Sequence, residues 1–443
     1  MDRTRTSRGP GTLEAGAPGR NLAVDVVRVS ALLTVVAGHW LKQGLYVDDS
    51  GVLMRSGLLA RAEWTHPLTW LLQVMPLFFL VGGYVNARSW RHARGRGDTY
   101  GTWLSGRLSR LTRPLVPLLL LWSLAAPLSL ALAPQRRWLE VGSDTSLRAT
   151  WFLAVYVVAV AAVPLTDALW LRWGWRSIAA PCVAVAVVDL AQIATGSMAV
   201  GALDVVLVWG TVHQLGYCWL DRRRSPRPAV LGTAAVAAVA AAVGLVAVGP
   251  WGVSMVGVSG FGLNNTYPPR LPLLLLGLAQ AAVVLAVEPW LQRVGAVRGV
   301  AALLLAVGPR SMTVYLWHLT VLSLLAAGSL ALGGLGLHAY PATAAWWVLR
   351  PAWLGVLVLA TALVVLVLGR VETAPTHVPR RRRPLVPLAE VGVVCAGVGA
   401  MAAYGLGQPD GTVRWPLAPL TALALLALAH RSAAARATPT PVG

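Results

Sequence analysis

Three residues that can do acid–base and electrostatic chemistry lie in one apolar segment, residues 21–40, NLAVDVVRVSALLTVVAGHW. In a helix, Arg28 and His39 fall within about 20° of each other on one face and about 16 Å apart along the axis. Asp25 precedes Arg28 by three residues, close enough to pair with it. Ionisable groups in hydrocarbon cost about 2.5 to 3.5 kcal/mol each, so this segment indicates more than an anchor. The alternative is that Asp25 and Arg28 lie at the lipid headgroups and His39 only ends the span.

Two further sets of residues have spacings that place them on one helix face. His318 lies within an apolar segment and has Ser311 and Tyr315 seven and three residues before it. The alternative for His318 is a structural histidine that hydrogen bonds to a neighbouring helix. Arg107 and Arg110, three residues apart, share a face of a short helix at the membrane surface, where they could equally be a topology signal.

The composition is that of a polytopic membrane protein. The chain has 443 residues, of which 56% are hydrophobic and only 12% charged. Lys and Arg outnumber Asp and Glu by 37 to 17, but Lys42 is the only lysine and the arginines form short blocks between apolar segments, which excludes a nucleic-acid groove. Three cysteines occur singly in apolar segments, so no disulfide framework is expected. The sequence contains no nucleotide-binding, hydrolase or zinc motif, and no metal site is predicted.

Apolar segments of membrane length predict twelve helices, at about 22–41, 67–85, 113–132, 150–169, 178–195, 199–220, 229–248, 271–287, 311–332, 347–368, 388–406 and 416–430. With the N-terminus in the cytoplasm, 27 basic residues lie in cytoplasmic segments and 8 in outer ones. This asymmetry predicts that both termini are cytoplasmic.

Five separated motifs resemble those of one known family, the integral-membrane acyltransferase family 3, which O-acylates sugars and other acceptors. They are D-x-x-R-x10-H ending at His39, MPLFFLVGGYVNARSW at 75–90, RLSRLTRP at 107–114, WFL at 151–153 and SMTVYLWH at 311–318. The resemblance covers about residues 20–370, or ten helices. The chain departs from it at Gly82–Gly83, where many members have Ser-Gly, and in two extra helices after Glu372.

The resemblance implies a cytoplasmic acyl-coenzyme A donor and a hydroxyl acceptor. Such a transfer needs a base for the hydroxyl proton, and His39 is the best candidate because apolar surroundings favour the neutral, proton-accepting imidazole. Arg28 is either an oxyanion or phosphate partner or a structural mate of Asp25, and His318 is the second catalytic candidate. Arg107 and Arg110 are expected to bind the phosphates of coenzyme A. The candidates for the substrate path are Asp25, Ser311, Tyr315 and Trp151.

We therefore predict an all-α membrane protein with a ten-helix acyltransferase domain at 21–370. A polar cytoplasmic N-terminus (1–20) precedes it, and a basic linker (371–387), two extra helices (388–430) and a cytoplasmic tail (431–443) follow. The expected activity is transfer of an acyl group, acetyl in the first instance, from acyl-coenzyme A to a hydroxyl of a glycan, glycolipid or secondary metabolite, with no resident cofactor. The expected location is the bilayer of a bacterial cytoplasmic membrane. The alternatives are a twelve-helix secondary transporter and a non-catalytic protein of the same fold.

Overall fold

The computed structural model describes residues 20–132, 137–258, 260–373 and 383–406, with all of their side chains except those of 126–132 and 137. Two strands, β1 Gln43–Val47 and β2 Leu53–Gly57, form an antiparallel hairpin. In chain order the α-helices are α1 Leu22–Lys42, α2 Leu58–Arg61, α3 Leu68–Leu72, α4 Met75–Gly95, α5 Tyr100–Thr112, α6 Leu115–Leu132, α7 Arg137–Arg148, α8 Trp151–Ala161, α9 Val163–Trp173, α10 Arg176–Thr195, α11 Met198–Gly201, α12 Leu203–Leu220, α13 Pro228–Val248, α14 Leu271–Ala286, α15 Glu288–Ala296, α16 Arg298–Val307, α17 Ser311–Ala331, α18 Ala344–Thr373 and α19 Leu385–Tyr404.

The described residues contain nine helical stretches that are long and apolar enough to cross a membrane, or ten if α14 and α15, bent by 65°, count as one span. The prediction of a helical, multi-pass membrane protein is therefore confirmed. The number twelve and the orientation of the termini stay predictions, and the expected span at 416–430 lies outside the described residues.

Two segments that lie between predicted spans have regular structure. Residues 42–66 contain the β1–β2 hairpin, whose turn is closed by the Asp48 side chain as it accepts hydrogen bonds from the backbone N–H groups of Ser50 and Val52. Residues 133–149 contain α7, a helix too polar to be recognised as a span. One side of this helix makes polar contact with α17, where Ser146 Oγ lies 2.9 Å from Ser323 Oγ.

Helix α1 runs through the bundle and packs against α4, α15 and α17. It begins at Asn21, whose side chain caps the helix by accepting a hydrogen bond from Val24 N at 3.2 Å. Asp25 in its first turn and Lys42 in its last turn match the helix dipole. The sequence thus defines both ends of the helix that carries Arg28 and His39.

Helices α4 and α12 cross in backbone contact because each has a glycine at the crossing. A Cβ atom added to Gly83 would lie 1.7 Å from the His213 carbonyl oxygen, and one added to Gly216 would lie 2.3 Å from Leu80 O and Tyr84 N. Small residues of this kind allow membrane helices to approach closely. The crossing brings the polar residues of the two helices within hydrogen-bond reach of one another.

Helix α19 packs against α8, α5 and α7, although it follows the ten helices of the predicted domain. Thr150 Oγ1 donates to Val398 O at 3.5 Å, and Cys395 Sγ donates to Ala154 O at 3.2 Å. Leu406 N donates to Ser143 Oγ at 3.1 Å. The helix therefore packs on the outside of α8 and α5, the helices that carry Trp151 and Arg107.

The glycine crossing gives a test of the fold. Gly216→Ala should force α4 and α12 apart and destabilise the protein by about 1–3 kcal/mol, the usual cost of overpacking. Gly210→Ala on the same helix is the matched control, because nothing lies within 4 Å of its added methyl group. Alanine there should be neutral or stabilising by up to about 1 kcal/mol. Thermal unfolding of the two variants in detergent measures the difference, and equal unfolding temperatures would contradict the crossing.

Candidate functional site

The two intramembrane histidines, 279 residues apart in the chain, are in direct contact. His39 Nδ1 lies 2.8 Å from His318 Nε2. The ring centroids are 5.1 Å apart and the ring planes differ by 12°, so the rings lie almost in one plane and meet through these two nitrogens. His318 is fully buried, whereas His39 is partly exposed. The contact joins α1 to α17 in the apolar part of the bundle.

The hydrogen bonds of this histidine pair determine its neutral tautomers. His318 Nδ1 lies 2.6 Å from the Tyr315 carbonyl oxygen, which can only accept, so His318 carries its proton on Nδ1. Its Nε2 is then an acceptor, and His39 Nδ1 must donate to it. The second nitrogen of His39, Nε2, therefore has a free lone pair. Among the described residues no side chain or backbone group hydrogen bonds to it, so it is available to accept a proton.

Neighbouring residues fix the position of His318. Trp40, next to His39 on α1, donates its indole N–H to the His318 carbonyl oxygen at 3.0 Å. The Tyr315 hydroxyl donates to Ala149 O at 2.8 Å, so it points to the start of α8. Tyr315 thus positions His318 through its backbone and ring rather than through its hydroxyl.

Ser311, the remaining candidate on α17, lies at the helix start and donates to Gly308 O at 2.7 Å. The Glu372 carboxylate accepts hydrogen bonds from Met312 N and Thr313 N at 3.1 and 2.8 Å, which caps this helix end. Ser311 therefore lies at the N-terminal end of α17, two turns from His318.

Arg28 and Asp25 form the expected ion pair. Arg28 NH2 lies 2.8 Å from Asp25 Oδ1, and Arg20 Nε lies 2.5 Å from Asp25 Oδ2. Gly308 leaves room for the guanidinium, since a Cβ there would lie 2.9 Å from Arg28 NH2. Arg28 Nε is buried without a partner among the described residues. Because Arg28 lies about 16 Å from His39 along α1, the structure does not bring the two together.

The start of α1 is held by a second polar cluster. Asn21 Nδ2 donates to Glu288 Oε1 at 3.0 Å, and Gln292 Nε2 donates to Asn21 Oδ1 at 2.7 Å. Arg222 NH2 pairs with Glu288 Oε1 at 2.6 Å. These contacts tie the start of α1 to α15 and to Arg222.

Arg107 and Arg110 lie in different surroundings although they share helix α5. Arg107 is partly buried and donates through Nε, at 3.0 Å, and through NH2 to Asn86 Oδ1. Burial lowers the pKa of the Arg107 guanidinium, and nearby Tyr156 partly opposes this shift; an arginine still stays charged at neutral pH. Arg110 is exposed. Only Arg110 presents its whole guanidinium to a ligand.

Asn86 is the centre of a buried polar network that sequence reasoning missed. Its Nδ2 group donates to Tyr156 Oη at 3.1 Å and to His213 Nε2 at 3.2 Å. His213 Nδ1 lies 3.4 Å from Tyr217 Oη. Because Arg107 uses the amide oxygen, every hydrogen-bonding group of the Asn86 side chain is satisfied. A single buried asparagine in a small-residue segment has no periodic signal that could have revealed it.

Aromatic rings connect this network to the histidine pair. Tyr315 lies 5.9 Å from His318 and 5.3 Å from Phe152, measured between ring centroids. Phe152 lies 5.2 Å from Tyr156, whose hydroxyl accepts from Asn86. Trp151 also contacts Phe152, at 6.4 Å. These ring contacts form a continuous row of aromatic side chains, here called the aromatic path, that runs from the Asn86–Arg107 pair to the His39–His318 pair.

The Asn86–Arg107 contact predicts a measurable coupling. Asn86→Leu leaves the partly buried guanidinium of Arg107 without its acceptor and should destabilise the protein by about 1–3 kcal/mol. In a double-mutant cycle with Arg107→Met, the two effects should differ from additivity by about 0.5–3 kcal/mol. The exposed Arg110 is the control, and Asn86→Leu with Arg110→Met should be additive within about 0.5 kcal/mol. Unfolding in mixed micelles measures all variants, and additivity for Arg107 as well would refute the network.

Comparison with known proteins identifies the family. The model of acyltransferase family 3, described as "Acyltransferase domain", matches residues 21–370, which is more than three quarters of the chain. No curated protein and no solved structure matches. The matched region includes both histidines, Arg28, Asn86 and Arg107. The chain therefore belongs to the integral-membrane acyltransferase family 3.

Proposed function

We propose that this protein is a membrane-embedded O-acyltransferase that moves an acyl group, acetyl in the simplest case, from acyl-coenzyme A to a hydroxyl of a glycan, glycolipid or secondary metabolite. The observation that carries the proposal is the free lone pair on His39 Nε2, which follows from the His39–His318 hydrogen bond. Membership of the family supplies the reaction class.

The proposed reaction uses His39 as a general base and then as a general acid. As the acceptor oxygen attacks the thioester carbonyl carbon, its proton passes to His39 Nε2. The carbon–sulfur bond then breaks, the ester is released, and the proton on His39 Nε2 passes to the departing thiolate to give the free thiol of coenzyme A. His39 therefore ends the cycle as it began.

His318 is a positioning residue in this proposal. By accepting from His39 Nδ1–H, it holds the imidazole in the tautomer whose other nitrogen is a base, and it favours the imidazolium that forms during the reaction. The role resembles that of the acidic member of a catalytic triad, with a neutral imidazole in place of a carboxylate.

The donor is proposed to bind at the α5 end of the aromatic path. Arg110 is exposed and can contact a phosphate directly, whereas Arg107, held by Asn86, adds a fixed positive charge beside it. Arg28, which pairs with Asp25 and lies far from His39, is assigned to the donor end as well. Phe152 and Tyr315 would line the route of the acyl-pantetheine arm towards His39, with Trp151 at its side.

The transporter and non-catalytic alternatives have less support. An alternating-access transporter would require the polar residues to line a solute path between two repeats, whereas the histidine pair and the Asn86 network are tightly paired within the bundle. Family membership also supplies an acyltransferase class, so the alternatives serve as outcomes of the test.

His39→Gln and His318→Gln separate the two proposed roles. His39→Gln keeps hydrogen bonding but cannot accept a proton, so acyl transfer should fall by about 10²- to 10⁴-fold while donor binding persists. His318→Gln keeps an acceptor for His39 and should lower turnover less. Acyl transfer from labelled acetyl-coenzyme A in membranes or nanodiscs measures both. Full transfer by a correctly inserted His39→Gln protein would overturn the mechanism, and solute transport without consumption of acetyl-coenzyme A would favour the transporter.

A further inference from the structure

A small group of basic side chains lies at the end of the bundle where α1 stops and the β1–β2 hairpin lies, here called the hairpin end. Lys42, the last residue of α1, comes three residues after His39, so the two lie about 4.5 Å apart along the axis and within about 60° around it. Nothing in the proposed proton transfer or donor binding uses this lysine. It is the charged side chain of α1 nearest in sequence to the candidate base.

Lys42 has no counter-ion in the described parts of the chain. Its ammonium group is within 3.4 Å of the Gly257 carbonyl oxygen, a long hydrogen bond. No carboxylate of residues 20–132, 137–258, 260–373 or 383–406 forms an ion pair with it. The side chain is also partly shielded from solvent. A partly shielded ammonium without an anion is costly, so a negatively charged ligand would stabilise it.

Two arginines add to the positive charge around Lys42. Arg148 NH2 pairs with Asp144 Oδ1 at 2.5 Å, and Arg55 NH1 pairs with the other oxygen of the same carboxylate. One negative charge thus serves two guanidiniums. Both arginines also interact electrostatically with Lys42. We call Lys42, Arg55 and Arg148 the basic cluster; together with Asp144 it leaves two positive charges unbalanced.

The predicted topology makes this cluster unusual. The hairpin end is the side on which the sequence places only 8 basic residues, against 27 on the other. Basic residues are under-represented on that side of membrane proteins. Three of those eight converge beside the end of α1, which indicates a function other than topology.

We propose that the acceptor is an anion, whose carboxylate or phosphate group binds the basic cluster while its hydroxyl faces His39 Nε2. An acidic sugar or a sugar phosphate carries both groups on one molecule. This inference rests on the proposed function and narrows its acceptor. The phosphates of coenzyme A are assigned to the α5 end, so the basic cluster is free for the acceptor.

The test measures binding of small probes to the full-length protein in nanodiscs, by calorimetry or ligand-induced thermal stabilisation. Methyl glucuronide and methyl glucoside form a matched pair that differs in one carboxylate, and inorganic phosphate is the second anion. Wild type should bind methyl glucuronide more tightly than methyl glucoside. Lys42→Gln should weaken methyl glucuronide binding about tenfold, equivalent to about 1.4 kcal/mol. Stabilisation by phosphate that Lys42→Gln also weakens would extend the site to sugar phosphates.

Arg61→Gln is the charge-matched control, because Arg61 lies at the same end but its guanidinium packs over the Tyr340 ring, 5.0 Å from the centroid. It should bind methyl glucuronide as wild type does. Equal binding of the two methyl glycosides would overturn the proposal. The proposal would also be overturned if Lys42→Gln bound methyl glucuronide normally but had a low rate of acyl transfer, because Lys42 would then act on the reacting oxyanion.

Two further arms separate this inference from other causes. Adenosine 3′,5′-bisphosphate, a fragment of coenzyme A, should bind Lys42→Gln and wild type equally; weaker binding to the variant would reassign the cluster to the donor and overturn the proposal. His39→Gln should bind methyl glucuronide normally while losing acyl transfer. If His39→Gln instead retains transfer, the proposed mechanism fails even though the anion site stands.

Discussion

The hydrogen bond between His39 and His318 is the contact on which the account of the site depends. In the apolar part of a membrane protein, an imidazole that lacks a partner is costly, so two histidines on different helices are driven to pair. The backbone carbonyl of Tyr315 determines which nitrogen of each histidine carries the proton. Because that carbonyl can only accept, the proton positions along the pair follow, and the open lone pair is placed on His39 rather than on His318.

The remaining helices hold this contact in place from both ends. Asn21 and its partners Glu288 and Gln292 fix the start of α1, and the Glu372 carboxylate caps the start of α17. The glycine crossing of α4 and α12 brings Asn86 to His213. The amide oxygen of Asn86 in turn accepts hydrogen bonds from Arg107, which stays a partly buried cation. Helix α19 packs behind α8, so a segment beyond the matched domain supports the helix that carries Phe152 and Tyr156.

Much of the fold could be predicted from the sequence, since apolar length and helical period are local properties. The Asp25–Arg28 pair was predictable for the same reason, as both residues lie in one helix turn. The pairing of His39 with His318 was not, because periodicity gives the face of a helix but not the helix opposite. Arg107 and Arg110 looked equivalent in sequence; only the structure shows that Arg107 is partly buried against Asn86 of α4 and that Arg110 is exposed. Helix α7 and the hairpin were missed because neither has the apolar length of a span; α7 is polar, and its contact with α17 through Ser146 and Ser323 is tertiary.

The proposed role of His39 requires an unprotonated Nε2, and imidazole ¹⁵N NMR measures the protonation of each ring nitrogen. The protein has 8 histidines, and His39→Gln and His318→Gln assign the two signals of interest in a ¹⁵N-histidine-labelled sample in lipid. We predict that, at neutral pH, His318 and His39 both carry their proton on Nδ1, with His39 Nε2 unprotonated and free. A proton on His39 Nε2, or a cationic His39 at neutral pH, would contradict this prediction.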